Sequence, residues 1–125
     1  VYADIVGGGL AVHPSWGRYD GRDKPLVLSY KHWQVTHIVS GLSLTGHEPF
    51  RYRTQAVKYA ELIAGSGVDC TLDGEEFYNA LKAFAESQGT TVQEWRYSLE
   101  RQAKSRQTRV VTIVGMVTQL GGIAQ

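Results

Sequence analysis

The chain is sparing with the residues that usually betray a secreted or cofactor-bearing protein. Among 125 residues there is one cysteine, Cys70. An intramolecular disulfide is therefore impossible, and a reducing, cytoplasmic setting is the expectation. Only three prolines are present, and the formal net charge is +1. That balance neither demands nor forbids a polyanionic partner, so any such argument rests on where the cations sit. No long apolar run is present. The richest, Val110–Val117, is too short to span a bilayer and is interrupted by Thr112 and Gly115, so no membrane partner is expected. No charged head precedes a long apolar stretch, so nothing present reads as a signal peptide.

What is there is ordinary globular material. Hydrophobic residues make up 42% and charged residues 20%, enough for one domain spanning 1–125, with a strand-rich part at 1–53 and a helical part at 54–120. A domain of this size buries roughly two thirds of its unfolded surface without a metal or a cross-link.

The strand signal centres on 26–59. Leu26–Tyr30 and Trp33–Val39 alternate as two strands, and Ser40-Gly41 turns the chain so that Leu42 and Leu44 resume the alternation. Phe50 and Tyr52 suggest a last short strand. Upstream, Val1–Val6 reads as a strand ended by Gly7-Gly8-Gly9. Leu10–Val12 follows, and Pro14 is expected to stop it, leaving His13–Pro25 as a loop.

Three helices are predicted after the strands. Thr54 is the expected N-cap of the first, which runs to about Ala64 with Gly65 as its stop. Asp73 with Glu76 starts the second, whose apolar stripe is Phe77, Ala80, Leu81, Phe84 and Ala85, and Gly89 ends it. Thr91 with Glu94 starts the third, striped by Val92, Trp95, Leu99 and Ala103. The same phase passes through Arg106 to Val110, Ile113, Val117 and Leu120, which favours one helix of about 29 residues, on the order of 40 Å long. The β-branched run Val110–Val114 speaks instead for strand. The fold class is α+β: a small, mainly antiparallel sheet covered by two helices, with a third, long C-terminal helix alongside. The expected core is Leu28, Trp33, Val35, Leu42, Leu44, Ala60, Ile63, Phe77, Leu81, Phe84, Trp95 and Leu99.

Signals for chemistry are few. The glycine triplet leads towards Pro14, without the Gly-Lys-Ser/Thr ending of a phosphate loop, and reads as a strand connection. The histidines His13, His32, His37 and His47 lack metal-ligand spacing, and no metal or cofactor is expected. Ser40 and Cys70 are the candidate nucleophiles, and a pocket near His37 and Cys70 is the enzymatic alternative. Glu75-Glu76, Asp69 and Asp73 stand where helix starts favour negative charge.

The cations are more suggestive. Trp16, Arg18, Tyr19, Arg22, Lys31, Arg51, Arg53, Lys58, Arg101 and Lys104 combine positive charge with aromatic rings, whereas the acids concentrate in Asp69–Glu86. Such a set suits phosphate contact with base stacking, so DNA or RNA is the leading expected partner of a non-catalytic binding protein. The competing expectation is a protein–protein module or homodimer assembled through Val110, Ile113, Val114, Val117 and Leu120.

The order of an aromatic strand (Trp33-Gln-Val-Thr), a turn at Gly46 and Phe50-Arg-Tyr-Arg-Thr-Gln-Ala entering a helix is similar to that of the small three-strand-plus-helix DNA-binding domains at the front of many phage and transposon recombinases. The likeness covers roughly Tyr30–Ala64. In those domains the sheet lies in the DNA groove, which implies roles at phosphates or bases for Lys31, Gln34, Thr36 and Arg51 or Arg53.

Overall fold

The computed structural model describes residues 3–17, 22–45 and 49–105. It is a small α+β domain in which a three-stranded antiparallel sheet precedes three helices. The strands are β1 (Asp4–Val6), β2 (Leu10–Gly17) and β3 (Val27–His37), in spatial order β1-β2-β3. The helices are α1 (Arg53–Ala64), α2 (Gly74–Ser87) and α3 (Val92–Lys104).

The glycine triplet is the β1–β2 hairpin turn. Gly7 and Gly8 have φ of 62° and 74°, and the Gly9 N–H reaches the Val6 carbonyl at 3.4 Å. Two consecutive left-handed residues match the right-handed twist of the flanking strands, a geometry that glycine adopts without steric cost.

The expected stop at Pro14 is corrected: β2 passes through it to Gly17. Among the described residues β1 pairs with β2 at Leu10–Val12, and from His13 onward the described strand partner of β2 is β3. Proline lacks an N–H, and beyond β1 no ladder bond is needed on that side. The register also shifts between Pro14 and Ser15, from Pro14↔Trp33 to Ser15↔Ser29. The β2–β3 register skips Tyr30, Lys31 and His32 at this bulge. This explains why a period-2 reading splits one strand, β3, into two.

Alternation along the hairpin sorts its faces. Leu10, Val12, Val35 and His37 are fully buried, while Ala11, His13, Gln34 and Thr36 alternate with them on the other face and are half-buried. The return after His37 is looser than predicted. Leu44 N–H bonds Val35 and Phe50 exchanges both backbone bonds with Trp33, but these are isolated bridges and not a further strand. Leu44 and Phe50 are buried, whereas Leu42 is 60% exposed, against expectation.

Helix α1 lies against all three strands, and α3 packs on α1 and α2. Ala56, Tyr59, Ala60 and Ile63 of α1 are fully buried. The expected Thr54 cap is corrected: Tyr52 is the N-cap and makes no side-chain cap bond. The other two starts are as read, with Asp73 accepting from Glu76 N–H at 2.9 Å and Thr91 from Glu94 N–H at 3.2 Å. Helix α2 contributes Phe77, Leu81 and Ala85 to the core. Phe84 and Trp95 are half-buried and meet ring to ring, centroids 5.2 Å apart. Trp33 and Leu28 are likewise only half-buried.

Helix α3 closes at Lys104, and Ser105 is extended at φ −81°, ψ 130°. The helical phase therefore breaks before the expected extension over Arg106–Leu120, which itself lies outside the described residues. No helix among the described residues is long and apolar enough to cross a membrane.

Candidate nucleic-acid interface

The start of α1 and the end of α3 meet at one edge of the domain. Between them is a cleft of about 320 Å³, lined by Tyr52, Thr54, Gln55, Lys58, Ala103, Lys104 and Ser105. Two of the ten predicted cation and aromatic positions, Lys58 and Lys104, come together here from distant parts of the sequence. Among the described residues no acidic side chain belongs to the lining. Arg101 and Lys104 stand in the last turn of α3, where positive charge complements the helix dipole. The Lys104 ammonium lies 5.3 Å from the centre of the buried Phe50 ring. The Arg51 guanidinium is 5.9 Å from the Tyr52 ring, near the outer limit of a cation–π contact, and Tyr52 is 52% exposed.

Aromatic contacts continue from the buried Phe50 towards the surface. Phe50 bridges Trp33, whose indole N–H donates to the Tyr30 carbonyl at 2.8 Å, and Tyr30 meets Trp33 edge to face at 6.0 Å. Tyr30 is 66% exposed. The sequence reading placed Tyr30 and Tyr52 in strands and did not include either in the candidate site. The signal was there in their adjacency to Lys31 and to Arg51 and Arg53, but only the Trp33–Phe50 pairing joins the two segments.

The remaining candidates disperse. Arg53 is engaged elsewhere: its Nε donates to Asp4 Oδ2 at 2.6 Å, and this bond holds the Asp4 carboxyl below the usual carboxylate range. Arg101 stacks on Tyr97 at 4.9 Å. Lys31 and Trp16 are exposed on the β2–β3 ribbon, and Arg22 is exposed in the connection between those strands. Arg18, Tyr19, Val110, Ile113, Val114, Val117 and Leu120 lie outside the described residues. On the open sheet face, His13 Nδ1–H donates to the Pro14 carbonyl, so its Nε2 accepts the Thr36 hydroxyl at 2.7 Å. Thr36, a groove-contact position under the recombinase likeness, is thus held by His13.

The enzymatic alternative centred on His37 and Cys70 has a definite geometry. His37 is fully buried, and its Nδ1 is bonded to the Ser40 hydroxyl at 2.7 Å. Cys70 is buried, and burial followed by the nearby Asp69 charge pushes its thiol up from the ordinary value, which disfavours the thiolate a nucleophile needs. Among the described residues no cluster of three His, Cys, Asp or Glu side chains is placed to hold a metal ion.

Compared with family models, with curated proteins and with solved structures, the chain matches none of them.

Proposed function

We propose that this domain binds single-stranded nucleic acid at the edge where α1 begins and α3 ends. The observation that carries this reading is the joining of Lys58 and Lys104 in one cleft beside the exposed ring of Tyr52. A phosphate seated in the cleft meets two ammonium groups and the start of a helix whose cap residue supplies no side-chain acceptor. A base leaving that phosphate can stack on Tyr52, and the exposed ring of Tyr30, set edge to face against Trp33, gives a second platform. Unstacked bases suit these rings better than a duplex does, because a duplex keeps its π-faces inside.

Fluorescence anisotropy with labelled single strands and duplexes at two salt concentrations tests the proposal. Binding to single strands is expected at low salt and should weaken as salt rises, because phosphate contacts release counterions. The double variant Lys58→Ala, Lys104→Ala should flatten the salt dependence by about 2 in log–log slope. Tyr52→Ala should weaken binding with little change in slope, and Arg53→Ala should matter least, since Asp4 already holds its guanidinium. No binding at low salt, or binding unaffected by the lysine pair, overturns it.

A further inference from the structure

His37 has both ring nitrogens engaged, and the two partners together fix its tautomer. Nε2 lies 3.0 Å from the Cys70 carbonyl oxygen. A carbonyl can only accept, so in the neutral ring Nε2 carries the proton and Nδ1 is bare. Nδ1 lies 2.7 Å from Ser40 Oγ, and the serine hydroxyl must therefore be the donor. The result is a directed chain, Ser40 O–H to His37 Nδ1, then His37 Nε2–H to the Cys70 carbonyl. A hydroxyl bonded to a base whose far side is held by a fixed acceptor is the arrangement that activates a nucleophile.

Three features hold the chain in place. The imidazole stacks on Phe77 with centroids 3.9 Å apart and planes 2° from parallel, which fixes the ring plane. The Leu42 N–H donates to Ser40 Oγ at 3.2 Å, which steadies the oxygen. Helix α2 opens against it: a Cβ built on Gly74 would stand 2.9 Å from Ser40 Cβ and 3.7 Å from Oγ. Ser40 itself reaches the surface, flanked by Val39, 54% exposed, and Leu42, 60% exposed.

We propose that Ser40 is a reactive nucleophile, with His37 as its general base, towards esters of small apolar acyl groups. Ser40 Oγ attacks the ester carbonyl carbon while its proton passes to His37 Nδ1. The ester C–O bond then breaks, and the departing alcohol takes the proton from Nδ1. Water attacks the acyl-serine, gives its proton to Nδ1, and Oγ leaves with that proton as the carboxylic acid is released. The imidazolium formed at each stage is stabilised by the Cys70 carbonyl, which accepts from Nε2–H. Val39 and Leu42 offer the acyl chain an apolar surface beside the oxygen. This activity is independent of nucleic-acid binding.

The test is covalent labelling of the full chain with a fluorophosphonate, mapped by mass spectrometry, alongside turnover of p-nitrophenyl butyrate. A single adduct on Ser40 is expected, and Ser40→Ala, confirmed as folded by circular dichroism, should lose about a hundredfold in turnover. His37→Gln should abolish labelling. If that variant fails to fold, the wild-type adduct map and the Ser40→Ala rates decide alone. No adduct, adducts spread over several serines, or turnover unaffected by Ser40→Ala would each overturn the proposal.

Discussion

Gly9 lies so close to Cys70 that a Cβ at position 9 would come within 1.9 Å of the Cys70 carbonyl oxygen and 2.8 Å of its Cβ. The carbonyl is the one that His37 Nε2 meets, and the Gly9 carbonyl in turn accepts from Ile38 N–H at 2.9 Å. The β1–β2 turn, the His37–Ser40 turn and the segment before α2 are thus locked at a single backbone contact. Gly9→Ala is expected to cost at least about 3 kcal/mol, because backbone must move and no flexible side chain can yield instead. Urea denaturation measures it. A loss below that of an ordinary surface substitution would show that the contact relaxes freely.

Tyr59 is fully buried and its hydroxyl donates to the Leu44 carbonyl at 2.7 Å. Tyr59→Phe should cost about 1–2 kcal/mol, since the Leu44 carbonyl then loses its partner in the core. Burial pushes the phenol well above its ordinary value, with the nearby Arg96 charge opposing and Glu100 reinforcing the shift. The sign follows: the folded state favours the neutral phenol. Its contribution is complete below the unfolded value of about 10 and is lost as pH rises from there towards the folded value. Stability above that pH should therefore fall more steeply in the wild type than in Tyr59→Phe, as read from urea midpoints at several alkaline pH values. Parallel curves would contradict the assignment.

Two threonines at predicted helix starts should behave differently. Thr91 caps α3, so Thr91→Ala is expected to destabilise by about 1 kcal/mol. Thr54 lies inside α1, whose N-cap is Tyr52, so Thr54→Ala should leave stability almost unchanged. Paired thermal or urea melts check this. Equal losses would mean that α1 begins two residues later than described.

The helices were largely legible because their signals are local. Asp73 with Glu76 and Thr91 with Glu94 are bonds within one turn of chain, and Phe77, Leu81 and Leu99 bury the stripe that their spacing announces. Helix α1 was placed correctly but capped wrongly, because a threonine before an Ala-rich run resembles a cap whether or not its hydroxyl finds an N–H. The strands were harder. Pro14 looked like a terminator, and only the short reach of β1 shows why β2 tolerates it. The three residues of the bulge, Tyr30–His32, shift the period-2 phase and so disguise a single strand as two.

The sequence by itself determined the class of fold, two of the three helix caps, most of the helical core and the supply of cations near the start of α1 and the end of α3. Those properties depend on neighbours a few residues apart, where spacing and propensity act directly. Tertiary structure decided which cations keep company and which are matched by an acid: Lys58 meets Lys104, whereas Arg53 meets Asp4. It also decided that His37 faces inward onto Phe77 with both nitrogens bonded. Such pairings join residues up to 49 positions apart, and no local rule carries that information, because it arises only when the sheet and helices pack and each polar group must find a partner.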